Sequence, residues 1–173
     1  MHFQLIMTHH SLHSYKTKKR GADNMMLNEM LDKDLVEITD KTPKDWKEAL
    51  KIAAGKLVEH DYIKEAYIDE IIKNVEDNGP YIVIVPGVAM PHANAKSDNV
   101  LGTAIGFTKF NESVSFGPNS NAKLFFTLAA RDPNEHLKNI GELSDMLMTD
   151  GLIDKLMNVE NIDDLKELIG SDK

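Results

Sequence analysis

The chain has 173 residues, of which 42% are hydrophobic and 28% charged, and it contains no cysteine. This composition is typical of one soluble globular domain. The lack of cysteine excludes disulfides, thiolate metal sites, iron–sulfur clusters and cysteine nucleophiles, and no apolar run approaches the roughly 20 residues of a membrane span. The net charge of −8 divides into +3 over residues 1–24 and −11 over the rest. An acidic body argues against nucleic acid as a partner.

The first residues differ in character from the rest of the chain. Residues 1–25 show no helical or strand periodicity, and their basic run follows a weak apolar stretch, which is the reverse of a secretory signal. Four of the seven histidines lie here without a carboxylate at a useful spacing, so we predict no metal site: His2, His9, His10 and His13. The sequence predicts a disordered or tag-like leader over 1–25 and one domain over 26–173.

The first half of the domain is predicted to be mainly helical. Apolar spacing and capping signals indicate the following elements: a helix over 26–34, a short strand over 35–38, a helix that begins at Thr42 and Pro43 and continues to about Leu57, and a helix over 61–78.

The second half is predicted to contain the sheet. The β-branched run Tyr81 to Val85 (YIVIV) is typical of a central strand covered on both faces. Further strands are predicted over 101–107, 114–116 and 124–130, and helices over 132–148, 152–157 and 162–169. This order predicts a single α/β layered domain.

The segment 86–93 (PGVAMPHA) follows the predicted strand 81–85, and ligands bind at the carboxyl ends of strands in open α/β sheets. Gly87 allows a tight turn, and Pro91 stiffens the backbone that leads into His92. A neutral imidazole offers one nucleophilic nitrogen near pH 7 while a backbone carbonyl holds the proton on the other. His92 is therefore a candidate phosphoryl acceptor. From the residues alone, a loop histidine without a special role stays open as the alternative.

A second candidate is His136, in the first turn of the helix that opens at Asp132. Unpaired N–H groups and the helix dipole make that end attractive to phosphate. If strand 124–130 lies beside strand 81–85, both histidines face the same sheet edge. An ordinary exposed helix histidine is the alternative.

The sequence gives little support for a metal site, a serine hydrolase site or a nucleotide-binding site. His60 is interpreted as a capping or surface residue. A metal site at the histidines would need HxH or HExxH spacing or a distant third ligand. The chain has no G-x-S-x-G elbow and no nucleotide-binding glycine motif.

The segments GPYIVIVPGVAMPHA, LGTAIGF and KLFFTLAARDPNEHLKNIGELSDML together resemble a known family. They are similar to the IIA domain of the fructose/mannitol (type 2) superfamily of the bacterial phosphoenolpyruvate:sugar phosphotransferase system, and most similar to ascorbate-type IIA components. The resemblance extends over about residues 26–170. It implies a mixed β-sheet of about five strands flanked by helices on both faces.

The resemblance also implies a cytoplasmic phosphotransferase in sugar transport. HPr would phosphorylate His92, on Nε2, and the phosphoryl group would pass to a cysteine of a IIB component, which serves a membrane IIC protein. His136 would hydrogen-bond the phosphoryl oxygens. No metal or organic cofactor is implied. The sequence leaves open whether the chain forms a homodimer.

The sequence departs from the ascorbate-type pattern directly after the nucleophile. Asn94 and Ala95 stand where Arg and Pro are common, which leaves Lys96 as a weaker phosphate partner or a plain surface lysine. The sugar is therefore not assigned. A second function stays open: a regulatory IIA-like module that signals by protein binding according to its phosphorylation state.

Overall fold

A five-stranded mixed sheet forms the centre of the computed structural model, which describes residues 25–170. The predicted leader, apart from Met25, lies outside the described residues. The elements follow in this order: α1 (residues 25–32), β1 (Val36–Thr39), α2 (Trp46–Ala53), α3 (Gly55–Glu59), α4 (Glu65–Asn78), β2 (Val83–Val85), β3 (Gly87–Ala89), β4 (Ala104–Gly117), β5 (Ser120–Ala129), α5 (Pro133–Leu147), α6 (Leu152–Met157) and α7 (Ile162–Gly170). Within this part of the chain, no helix is both long and apolar enough to cross a membrane.

The spatial order of the strands is β1-β4-β5-β3-β2. The pairs β1·β4 and β3·β5 are parallel, whereas β4·β5 and β2·β3 are antiparallel. Helices α2, α3 and α4 cover one face of the sheet, and α1, α5, α6 and α7 cover the other. The predicted fold class, a mixed sheet of about five strands flanked by helices on both faces, is confirmed.

The interpretation of residues 81–85 as a central strand is wrong. β2 is an edge strand of three residues, and Ile84 and Val85 are each 40% exposed. A β-branched run shows that a segment favours extended structure, but it does not show how many neighbours the strand has. The segment after it, predicted as a loop, instead forms β3, because Gly87 at φ +88° turns the chain back beside β2.

Other boundaries also differ from the prediction. The strands predicted over 101–107 and 114–116 are parts of one 14-residue strand, β4, which continues through an irregularity between Lys109 and Val114. Helix α2 begins after Asp45, whose carboxylate accepts a hydrogen bond from the Glu48 amide, and not at Thr42. The helix predicted from residue 61 begins at Glu65.

Gly87 permits the turn between β2 and β3, and its replacement tests that turn. A Cβ atom at this position would lie 2.5 Å from the Met157 Cε, on a backbone conformation that L-residues rarely adopt. We expect Gly87→Ala to lower the free energy of unfolding by about 1–2 kcal/mol. The matched control is Gly141→Ala in helix α5, where the new Cβ meets nothing within 4 Å. It should raise stability by about 0.5–1 kcal/mol. Chemical denaturation measures both, and equal stability of Gly87→Ala and the wild type would contradict the assigned turn.

Candidate functional site

His92 and His136 lie at the same edge of the sheet. Strands β3 and β5 are parallel, and the chain after β3 continues beside β5, since the Leu128 amide donates to the Pro91 carbonyl at 2.9 Å. The chain therefore reaches His92 close to the point where β5 ends and α5 begins. The centroids of the two imidazole rings are 5.4 Å apart. The predicted proximity of the histidines is correct, although the strand beside β5 is β3 and not the 81–85 segment.

The imidazole of His92 is held through one of its nitrogens. Nδ1 lies 2.6 Å from the Met90 carbonyl oxygen. A carbonyl only accepts hydrogen bonds, so Nδ1 carries the proton and donates it. The neutral ring then has its lone pair on Nε2, which is the tautomer that a nucleophile at this nitrogen requires. The side chain is partly buried, so the geometry restricts the ring without closing it off from solvent.

Two tyrosines contact the residues around the nucleophile. The Tyr81 hydroxyl donates to the His92 carbonyl at 2.5 Å, and its ring meets the imidazole edge-on at 5.3 Å between centroids. The Tyr67 hydroxyl accepts from the Ala93 amide at 3.1 Å and donates to the Leu128 carbonyl at 3.0 Å. Burial raises the pKa of Tyr67 to about 12, so this hydroxyl stays protonated and keeps its donor.

The sequence did not indicate these tyrosines as site residues. Tyr67 falls within the helix predicted over 61–78 and is buried, but apolar spacing says nothing about where a hydroxyl points. Tyr81 was included in the 81–85 strand. The only signal in the sequence that Tyr81 belongs to the site is its position. It lies two residues after Gly79, near a strand that leads to the histidine segment.

His136 lies at the start of helix α5, as predicted. Asp132 is the N-cap, accepting from the Glu135 amide at 2.9 Å, and Pro133 occupies the first turn. The Glu135 carboxylate accepts a hydrogen bond from the Thr103 hydroxyl, which in turn accepts from the Arg131 amide. This network ties the first turn of α5 to the segment before β4 and thereby fixes the helix end that presents His136.

Burial, and to a lesser extent the neighbouring His92, lower the pKa of His136 from the usual 6.5. His136 is therefore neutral at pH 7 and gains a proton only as the pH falls through that lowered value. An NMR titration of the ring protons, with His136→Ala to assign the signal, should give a pKa below 6.5. In His92→Ala the pKa of His136 should rise, because that variant removes the neighbouring imidazole. A value at or above 6.5 in the wild type would contradict the assigned environment.

The segment after His92 is fixed by its own turn and by contacts with α4. Asn94 and Lys96 are exposed, and the Asn94 side chain accepts from the Lys96 amide at 2.9 Å. Further along, the Glu70 carboxylate of α4 accepts from the Ser97 hydroxyl at 2.5 Å and the Asn99 side-chain amide at 2.9 Å. Asn94 thus serves a local turn, and nothing in these contacts brings the Lys96 side chain to His92.

His60 does not belong to this site. It ends helix α3, and its Nε2 lies 3.0 Å from the Asp34 carboxylate. Asp34, Glu59 and His60 are the one group in residues 25–170 with metal-ligand spacing. The Lys56 ammonium already lies 3.4 Å from Asp34 and 3.9 Å from Glu59. The hydrogen bond from His60 contributes most to a lowered pKa of Asp34, so the cluster is an exposed ion-pair network.

Comparison with known proteins gives the family to which this chain belongs. Residues 29–171 match the family described as "Phosphoenolpyruvate-dependent sugar phosphotransferase system, EIIA 2". The chain is 34% identical over 127 residues to the mannitol-specific cryptic phosphotransferase enzyme IIA component of Escherichia coli K12, covering 73% of this chain and 86% of that protein. It is 30% identical over 127 residues to the ascorbate-specific EIIA component of Salmonella choleraesuis, covering 72% and 82%.

A solved structure is similar as well. The complex of enzyme IIA(Mtl) with phosphorylated enzyme IIB(Mtl) from Escherichia coli matches with a TM-score of 0.65 and 26% identity, over 79% of this chain and 94% of that chain. The chain therefore belongs to the type 2 EIIA family of the phosphoenolpyruvate-dependent sugar phosphotransferase system. The predicted family and the predicted role as a IIA phosphotransferase component are confirmed.

Proposed function

We propose that this IIA component carries the phosphoryl group on Nε2 of His92. The observation that carries the proposal is the 2.6 Å hydrogen bond between Nδ1 of His92 and the Met90 carbonyl. Because that bond keeps the proton on Nδ1, the neutral ring has its free lone pair on Nε2. His136, with its ring centroid 5.4 Å away, is the side chain that assists.

The two transfer steps balance without a metal or an organic cofactor. The Nε2 lone pair attacks the phosphorus of phosphohistidine on HPr, an N–P bond forms, and the N–P bond of HPr breaks with its electron pair returning to the HPr imidazole. The Nδ1 proton stays on His92, where the Met90 carbonyl stabilises the positive charge of the phosphorylated ring. In the second step a cysteine thiolate of IIB attacks the same phosphorus, and His92 leaves as the neutral imidazole. Such transfers depend mainly on positioning and charge stabilisation.

His136 supports transfer as a neutral hydrogen-bond donor. Its lowered pKa leaves one ring N–H at pH 7, and its place in the first turn of α5 adds the positive end of a helix dipole. The ring N–H and the helix dipole both stabilise the negative charge on the phosphoryl oxygens. The incoming negative charge should then raise the pKa of His136, which strengthens the contact while the group is bound.

The partners follow from the same chemistry. The Escherichia coli IIA(Mtl) structure holds phosphorylated IIB(Mtl), and we propose a cognate IIB as the acceptor for this chain. The net charge of −11 outside residues 1–24 suits a donor with a basic docking face, such as HPr. The IIB component would in turn serve a membrane IIC protein that transports the sugar. We also propose that residues 26–173 form one domain and that the protein acts in the cytoplasm.

The test is an intact-mass measurement. The full chain is incubated with phosphoenolpyruvate, enzyme I and HPr, and a parallel sample omits HPr. We expect a gain of one phosphoryl group that is labile in acid and stable in alkali, and no gain without HPr. A chain that takes up no phosphate under these conditions, while HPr itself becomes phosphorylated, would overturn the proposed function.

A further inference from the structure

The peptide bond between His92 and Ala93 is held at both ends by tyrosine hydroxyls. Its carbonyl accepts from Tyr81 at 2.5 Å, and its amide donates to the Tyr67 hydroxyl at 3.1 Å. The two tyrosines come from different places: Tyr67 lies in the first turn of α4, and Tyr81 precedes β2. The backbone that carries the imidazole is therefore fixed from two independent directions.

The two hydroxyls differ in their relation to solvent. Tyr67 is 1% exposed, and it satisfies two buried backbone groups that would otherwise lack partners. Its hydroxyl therefore has a large structural role. Tyr81 is 39% exposed, so water can replace its hydrogen bond to the His92 carbonyl. The Tyr81 hydroxyl adds little to stability, yet it contacts the residue that carries the nucleophile.

Tyr81 restrains His92 in two ways. Its hydroxyl fixes the carbonyl group of His92, and its ring edge lies against the imidazole in a T-shaped arrangement. The Nδ1–H bond reaches back two residues to the Met90 carbonyl, so its geometry depends on the backbone conformation of His92. Asn74 of α4 lines the same surface pocket as Tyr81 and His92.

We propose that Tyr81 is a positioning residue that keeps the His92 imidazole oriented with Nε2 toward the incoming phosphorus; this inference rests on the proposed function. Without the hydroxyl, the His92–Ala93 peptide is held by a tyrosine only through its Ala93 amide. The hydrogen bond to the Met90 carbonyl then loosens, and the ring spends less time in the attack geometry. Small losses of alignment at a reacting atom reduce rates strongly. The contacts of Tyr81 are with His92 itself, so the chemistry stays with His92.

The test compares Tyr81→Phe with the wild type in the full chain, using HPr phosphorylated by enzyme I and phosphoenolpyruvate. The phenylalanine keeps the ring contact and removes only the hydroxyl. We expect the transfer rate at saturating phosphorylated HPr to fall about tenfold. The KM for phosphorylated HPr should change by less than about twofold, because the exposed ring surface is retained. The matched control is Tyr62→Phe; within residues 25–170 the Tyr62 hydroxyl makes no hydrogen bond, and transfer should be unchanged.

A second measurement separates positioning from docking. Long-range ¹H–¹⁵N spectra report the tautomer of each imidazole, and His92 should hold its proton on Nδ1 in the wild type and show a larger share of the Nε2–H form in Tyr81→Phe. Equal rates and equal tautomers in Tyr81→Phe and the wild type would overturn the proposal for Tyr81 and leave the proposed function intact. A raised KM with an unchanged tautomer would also overturn it, since Tyr81 would then be a docking contact. Failure of the wild type itself to take up phosphate would instead refute the proposed function.

Discussion

His92→Ala is expected to abolish phosphoryl uptake from HPr, with a fall of more than about 10³-fold, the scale of loss when a covalent nucleophile is removed. No cysteine is present to substitute. His136 lies beside His92, but no backbone carbonyl among residues 25–170 accepts from its ring nitrogens as the Met90 carbonyl does from His92. The measurement is intact mass after incubation with phosphoenolpyruvate, enzyme I and HPr.

His60→Ala is the matched control for His92→Ala. His60 is a histidine of the same domain whose imidazole pairs with the Asp34 carboxylate, whereas His92 and His136 face each other. This variant should take up one phosphoryl group at the wild-type rate. Both variants should keep the wild-type circular dichroism spectrum, because His92 is only partly buried. Full phosphorylation of His92→Ala would contradict the assigned nucleophile, whatever the behaviour of His60→Ala.

The second large effect is expected for His136→Ala, which should still accept one phosphoryl group but on the order of 100-fold more slowly, as when one preorganised donor to a transition state is removed. The loss should appear in the rate at saturating phosphorylated HPr, because the hydrogen bond strengthens only as charge develops on the oxygens. Stopped samples analysed by mass give the rate.

His136→Gln is the informative companion to His136→Ala. Its side-chain amide keeps an N–H donor at the start of α5, so it should recover part of the lost rate, whereas His136→Ala does not. The N-cap Asp132 and the Thr103–Glu135 hydrogen bond are untouched in both variants, so the helix start stays intact. An unchanged rate in His136→Ala would show that His136 does not assist the transfer.

The fold class could be predicted from the sequence, but the order of the strands in the sheet could not. Helix α5 was predicted almost to the residue, because Asp132 and Pro133 form a local start signal that needs no tertiary context. The edge position of β2 could not be predicted, since a run such as Tyr81 to Val85 has the same apolar pattern at the edge and at the centre of a sheet. β3 was missed for a related reason: Gly87 marks a turn, but only the partner strand β5 shows that a new strand follows.

The two histidines of the site could be predicted from the sequence, but the groups that hold them in place could not. His92 follows a stiff proline segment and His136 starts a helix, and both facts are visible locally. The Met90 carbonyl selects the tautomer only because the backbone turns it toward the imidazole. The hydroxyls of Tyr67 and Tyr81 act through contacts with residues that are distant in the chain. Neither periodicity nor spacing encodes such contacts, so they required the three-dimensional arrangement.

The central claim, that Nε2 of His92 carries the phosphoryl group, is tested most directly by NMR of the ¹⁵N-labelled full chain after phosphorylation by phosphoenolpyruvate, enzyme I and HPr. The ³¹P–¹⁵N coupling identifies the bonded nitrogen, and the His92→Ala variant assigns the ring. The expected result is a coupling of one phosphorus to Nε2 of His92, with the proton retained on Nδ1. Coupling to Nδ1 of His92, or to a nitrogen of His136, would contradict the claim.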